Sequence, residues 1–223
     1  QLDGLGQTGA KVISIVSFAH PKGTPQLACI DEIAEKFIPK EGVTYTAAVF
    51  NQKGFNRADA YFPKIDVREG LKGFSSNVEL CDTFARRNYN RSQAQQLASV
   101  ENVVAAAVKA GAENASVGLG NPFGSNYEGP FSLKQRMDLL DTIIGWWHEA
   151  GIPVTKVTFL DAMGWNMPHL VEETLEAISK KYPEIKKFHM HLHNTRGSAM
   201  ASFYSALKFG VDSFDTSLGG MGG

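Results

Sequence analysis

Four times along this chain a glycine is followed within a few residues by an apolar, β-branched run: Gly9 before VISIVSF, Gly111 before ASVGL, Gly151 before VTKVTFL and Gly210 before VDSFDTSL. Glycine tolerates the left-handed backbone that ends a helix, so each copy reads as a helix stop followed by a strand. Helical stripes precede three of these glycines. They are Leu97, Val100, Val103, Val104 and Val108; then Leu133, Met137, Leu140, Ile144 and Trp147; then Met200, Phe203 and Leu207. Trp146 and Trp147 lie on the second of these helices, where core packing is expected of them rather than base stacking. A further helix is expected from Pro168, a first-turn proline, through Leu170, Leu175 and Ile178. Strands and helices alternating at about 30 to 40 residues predict parallel βα units. No glycine-rich phosphate fingerprint follows a strand, so an α/β (β/α)₈ TIM barrel is preferred to a doubly wound sheet.

Strands are predicted near residues 12–18, 43–49, 114–119, 153–160, 187–193 and 212–218, with one more between 65 and 82 for which IDVREGL and NVELCDTF compete. That leaves a barrel one strand short. The chain also opens inside a helix-like segment and stops on GGMGG directly after a strand, so the expectation is a single domain over 1–223, incomplete at both ends. With 223 residues and 43% apolar content, one sizeable core can form. A net charge of -1 with mixed signs provides no basic stripe for nucleic acid and no polybasic membrane patch. No apolar run approaches the roughly 18 residues of a membrane span. Cys29 and Cys81 lack metal-type spacing, which favours a reduced compartment, the cytoplasm or an organellar matrix.

Within the predicted strand 187–193 the sequence reads FHMHLHNT, with His189, His191 and His193 at every second position. A strand puts them on one face and Phe188, Met190 and Leu192 on the other. Same-face neighbours stand roughly 6.6 Å apart, close enough for two imidazoles to converge on one cation, whereas His189 and His193 are about 13 Å apart. Asn194, Thr195 and Gly197 close the strand, so His191 and His193 lie at its carboxyl end, where βα folds keep their chemistry. They are the expected metal pair.

In these motifs the chain resembles the hydroxymethylglutaryl-CoA lyase branch of the DRE-TIM metallolyases, divalent-metal (β/α)₈ barrels that make or break carbon–carbon bonds. HLHNTRG at 191–197 followed by FGVDSFDTSLGGMGG at 209–223 resembles that family's HxH metal strand and glycine-rich loop. SFAHPKGTPQLA at 17–28, YTAAVFNQKGF at 45–55, TFARRNYNRS at 83–92, NYEG at 126–129 and FLDAMGW at 159–165 follow in the family's order. The resemblance implies a carbon–carbon lyase cleaving a 3-hydroxy-3-methylglutaryl-CoA-like acyl-CoA to acetyl-CoA and a keto acid, with Mg²⁺ or Mn²⁺ on His191 and His193. It implies an acyl-CoA or small hydroxy-acid substrate and a homo-oligomer. Related readings are a metallo-aldolase or Claisen-type acyl synthase, or a catalytically silent relative that keeps metal or CoA binding.

Departures from the family pattern bear on these readings. Ser14 stands where the family's second strand carries a glutamate, and Asp3 in LDGLGQTG reads as a solvated helix residue rather than a ligand. The family's arginine–aspartate strand would precede Gln1, and its loop cysteine and asparagine ligand would follow Gly223. Asp161 matches the family's aspartate and is expected to face the same mouth as the histidines and act as catalytic base, in which case Asp161→Asn removes most turnover while leaving metal binding largely intact. Closing the following turn as an N-cap is its other reading. His189 is expected to be a barrel-layer histidine bonded to a neighbour. Glu128, and the group Asp82, Arg86, Asn88 and Asn90, either reach the mouth or solvate loops. Gly219, Gly220, Gly222 and Gly223 suit a mobile lid or an anion-hugging loop.

Overall fold

The structure is a computed structural model describing residues 2–18, 25–49, 52–68 and 73–217. Two units, Gln1–Lys72 and Gly73–Gly223, each enclose a core of their own. The first holds α1 (Leu2–Gly6), β1 (Val12–Ser17), a 3₁₀ turn (Pro25–Leu27), α2 (Ile30–Lys36), β2 (Thr44–Ala48) and α3 (Gln52–Asp59). β1 and β2 pair in parallel from Val12↔Thr44 to Ser17↔Ala48, with an irregularity between Ser14 and Val16. Ile13, Phe18, Ile30, Tyr45 and Ile65 make the core. Asp3 is exposed on α1, and Ser14 is exposed on β1 opposite Thr46.

The second unit runs β3 (Phe74–Glu79), α4 (Asp82–Tyr89), α5 (Gln93–Ala110), β4 (Ala115–Gly120), β5 (Gly124–Ser125), β6 (Gly129–Pro130), α6 (Leu133–Glu149), β7 (Val154–Asp161), α7 (Pro168–Lys181), β8 (Lys187–Leu192), α8 (Ala199–Lys208) and β9 (Ser213–Phe214). Its main sheet is parallel in the order β3-β4-β7-β8-β9, so each strand lies beside the next one in sequence once the small antiparallel β5–β6 hairpin is set aside. Sequential parallel pairing with intervening helices is the α/β pattern that the glycine-then-strand repeat predicts. β3 settles the competition between residues 65 and 82 in favour of the stretch ending in NVE. β9 is only two residues long, shorter than the expected 212–218, and the glycines from 219 onward lie outside the described residues. Among the described residues no helix is long and apolar enough to cross a membrane.

Local chemistry explains the boundaries. Ser92 and Ser132 open α5 and α6 with capping boxes closed by Gln95 and Gln135, and Pro168 sits in the first turn of α7. Gly111 ends α5 at φ 67°, its N–H reaching back to Ala107 and Val108. Leu140, Ile144 and Trp147 are fully buried as their stripe predicts, but Val108 is 54% exposed because the face α5 turns to the sheet carries Val100, Val104 and Ala107. The α8 stripe is corrected further: Met200 and Leu207 are exposed, and the buried face is Ser202, Ser205 and Ala206. Small residues let α8 lie close against α7, which overrides the preference for burying its largest apolar side chains. Arg136 interrupts the α6 stripe yet is buried, because its guanidinium donates to the Leu170 carbonyl and Thr174 and pairs with Glu173 on α7.

The opposite face of the main sheet is polar. Register aligns Asn77, Gly118, Thr158 and His189 in one transverse row, and Glu79, Gly120, Leu160 and His191 in the next. The glycines make room for their neighbours: a Cβ on Gly120 would lie 2.1 Å from Glu79 Cδ, and one on Gly118 would lie 2.1 Å from Asn77 Oδ1. Glu79 is 4% exposed, and burial pushes its carboxyl up to about 7. Because the folded protein holds this proton more tightly than the unfolded chain, Glu79 weakens stability as pH rises from about 4.5 to about 7. The full loss is about 3 kcal/mol at 1.36 kcal/mol per pH unit. Urea unfolding is therefore expected to show Glu79→Gln gaining on the wild type between pH 5 and pH 8, whereas a constant difference across that range would contradict the burial effect.

Candidate active site

β8 sets the site. Phe188 and Met190 point into the core beneath α7 and α8, which turns His189, His191 and, just past the strand end, His193 to the polar face. His191 Nε2 and His193 Nε2 face each other at 2.9 Å. Two ligands at right angles, each about 2.1 Å from a cation, stand about 3.0 Å apart, so this spacing fits adjacent positions on one six-coordinate divalent ion. Among the described residues no group of three or more His, Cys, Asp or Glu could hold a metal, so the pair is not by itself a complete shell.

The sequence reading missed Asp215, the residue that orients the pair. β9 pairs with β8 as His189↔Ser213 and Met190↔Phe214, and the Asp215 amide continues the ladder to the Met190 carbonyl, which brings the next side chain level with His191. Asp215 Oδ2 accepts from His191 Nδ1 at 2.8 Å and lies 3.2 Å from His189 Nε2. With Nδ1 carrying the proton, His191 Nε2 keeps its lone pair for a ligand, the usual device of a carboxylate behind a metal-binding imidazole. Hydrogen bonds from His189 and His191 hold the Asp215 carboxyl well below the usual carboxylate range despite its burial. His189 also meets Ser213 Oγ at 2.8 Å, so it is a partnered histidine set back along the strand. A cavity of about 320 Å³ lies at the strand end beside the pair, lined by His191, His193, Asn194 and Asp215 and, from the α8 side of the sheet, by Met200, Phe203 and Phe214.

The structure places Asp161 otherwise than expected. Leu160 pairs with His191 and Asp161 with Leu192, so Asp161 shares its strand face with the buried Val157 and Phe159, opposite the histidines. Its carboxylate is fully buried and accepts from Trp165 N at 3.1 Å and from Asn166 N and Nδ2 at 2.7 Å. Burial pushes its carboxyl up, and these donors pull against that rise. Asp161 closes the loop after β7 without capping a helix, since the N-cap of α7 is Met167. Asn166 Nδ2 also donates to the His193 carbonyl at 2.9 Å, so Asp161 holds His193 through Asn166.

Around this turn the mouth is tightly tied. Arg196 donates to the carbonyls of Met163 and Gly164 and to Asn126 Oδ1, and its guanidinium lies 4.5 Å from the centre of the Trp165 ring. Trp165 Nε1 donates to the same Asn126 oxygen. Glu128 accepts from Thr83 N and Cys81 Sγ, anchoring the hairpin to the start of α4. Asp82 pairs with Arg86 and caps Gln93 N, while Asn90 ends α4 in the left-handed conformation, so these residues shape a helix and its exit. Cys29 and Cys81 are free thiols, and burial pushes that of Cys81 up. If Asp215 fixes the His191 tautomer, Asp215→Asn should weaken Mn²⁺ binding about 10- to 100-fold with the fold intact. Isothermal titration of the variant reads this directly, and wild-type affinity would contradict the role.

Comparison with known proteins places this geometry among relatives. The family profile described as HMGL-like matches residues 4–223. The chain is 32% identical over its whole length to the hydroxymethylglutaryl-CoA lyase YngG of Bacillus subtilis (strain 168), spanning 69% of that protein. It is 27% identical to the (R)-citramalyl-CoA lyase of Chloroflexus aurantiacus, spanning 68% of it. The crystal structure of the Bacillus subtilis HMG-CoA lyase covers the whole chain at a TM-score of 0.72 and 31% identity, with 69% of that structure matched.

Proposed function

We propose a function that proceeds from one established premise: the chain belongs to the HMGL-like family and shares its TIM-barrel α/β fold. On that premise it is a carbon–carbon lyase acting on an acyl-CoA that carries a hydroxyl next to the bond to be broken. Relatives named for hydroxymethylglutaryl-CoA and for (R)-citramalyl-CoA support two candidate substrates of one chemical class. The single observation that carries a metal-assisted version is the pair of Nε2 atoms 2.9 Å apart, with Asp215 on the far nitrogen of His191.

In the proposed reaction the substrate hydroxyl loses its proton, the neighbouring carbon–carbon bond breaks to leave a carbonyl, and the bonding electrons pass to the thioester fragment as an enolate that is then protonated. What a divalent cation, Mg²⁺ or Mn²⁺, supplies when bound is Lewis acidity toward oxygen. His191 and His193 would hold it through Nε2, with Asp215 keeping the proton of His191 on Nδ1. Asp161 serves by position, holding Asn166 and thereby the His193 backbone. Asn194 and Asp215, which line the cavity beside the pair, are the side chains available to the polar end of a substrate there.

Acetyl-CoA release from 3-hydroxy-3-methylglutaryl-CoA and from citramalyl-CoA, followed by chromatography of the Mn²⁺-loaded full-length protein, tests the lyase reading. Release from one of them is expected, and condensation of acetyl-CoA with 2-oxoacids without cleavage would point to a synthase instead. Replacing either His191 or His193 by alanine is expected to lower turnover at least 100-fold. For Asp161→Asn the positioning role predicts weaker Mn²⁺ binding together with lower turnover. Lost turnover at unchanged Mn²⁺ affinity would restore Asp161 as the base.

A further inference from the structure

Glu79 stands three strands away from His191, yet hydrogen bonds at either end of the turn after β7 link it to the His193 backbone. Its Oε2 accepts from Asn121 Nδ2 at 2.9 Å, and Asn121 Oδ1 accepts from Met163 N at 3.1 Å. Asn121 is fully buried just beyond β4, donates its own N–H to the Leu160 carbonyl at 2.7 Å, and holds φ at 46°. That left-handed conformation is uncommon outside glycine and persists only where surrounding contacts fix it. Beyond Met163 the turn after β7 reaches Asn166, whose side chain bridges Asp161 Oδ2 and the His193 carbonyl.

We infer that Glu79 is a positioning residue of the candidate site: through Asn121 it fixes one end of the turn 162–166, whose other end holds the His193 backbone. The inference deepens the proposed function, resting on the role given there to His193. Gly120 supports it, since the missing side chain is what lets the Glu79 carboxyl lie across β4 to reach Asn121. Among the described residues no cation pairs with Glu79. Of the titratable groups on the elements packed against β3, Tyr89 of α4 bonds to it, while α5 faces this strand with the uncharged Gln93 and Gln96. On the turn's own side the charged groups are Asp161 and Arg196. An ionised carboxylate accepts more strongly than a protonated one, and burial brings the Glu79 proton into the neutral range, so the turn is held more firmly above pH 7 than below it.

Trp165 lies within the turn and reports on it. In protein labelled with 5-fluorotryptophan, its ¹⁹F resonance is assigned by comparison with Trp165→Phe. The wild-type resonance is expected to shift with a midpoint near pH 7, and that component is expected to vanish in Glu79→Gln. Glu79→Ala, and Asn121→Gly, whose glycine suits the left-handed backbone, should broaden the Trp165 resonance at pH 8 and weaken Mn²⁺ binding at least threefold. A Trp165 signal and Mn²⁺ affinity unchanged in both variants, or a pH-dependent shift that persists in Glu79→Gln, would overturn the role. Absence of Mn²⁺ binding by the wild-type protein would count against the metal reading alone, because the Trp165 signal judges Glu79 without it.

Discussion

The site depends on the register of three parallel strands, β7, β8 and β9. In a parallel sheet paired residues point to the same side, so pairing His189 with Thr158 on one side and with Ser213 on the other decides what the histidines can meet. A slip of one residue would bury His191 beneath α7 and α8 and turn Met190 to the polar face. The register is enforced from the opposite face, where Val157, Phe159, Phe188 and Met190 pack into one continuous core with Leu175 and Ile178 of α7. Fully burying side chains of this kind contributes roughly 1.5–3 kcal/mol each, so a slip that exposes several of them costs more than any one polar contact in the site could offset.

The polar face is built from residues that cannot stand alone. A buried carboxylate at Glu79 and a left-handed Asn121 each carry a local penalty; Glu79 is compensated through Asn121, which bonds to the turn after β7, and the fully buried Asp161, on the opposite face, is compensated by bonds within that same turn. That turn is where the sheet's rigidity reaches His193. Arg196, Trp165 and Asn126 close the outer side of the same turn, so the mouth is braced by side chains from the turn itself, the hairpin and the segment after β8. Shared bracing of this kind couples its members, and deletions within it should not be additive.

Much of the fold was legible in the sequence because helix ends announce themselves chemically. Gly9, Gly111, Gly151 and Gly210 all adopt positive φ, and the strands begin soon after them. The histidine alternation, too, survives intact, since period two is a property of any strand. What was not legible depends on register between strands. Asp161 and the histidines are neighbours in the βα order, but only the pairing Leu160↔His191 reveals that the aspartate faces away. Asp215 was hidden for the same reason: its place opposite His191 follows from Ser213↔His189, although a trial alignment of VDSFD against FHMHLH could have found it. The apolar stripe of α8 does not mark its buried face, because closeness of packing against α7 decides burial there rather than side-chain size.

His191 and His193 are proposed to hold one divalent cation through Nε2. Electron spin-echo envelope modulation of the Mn²⁺-loaded protein counts the imidazole nitrogens on the metal. The geometry predicts two, with one lost in His193→Gln and one lost in His191→Gln. A spectrum without imidazole nitrogen, or one that neither substitution changes, would contradict it.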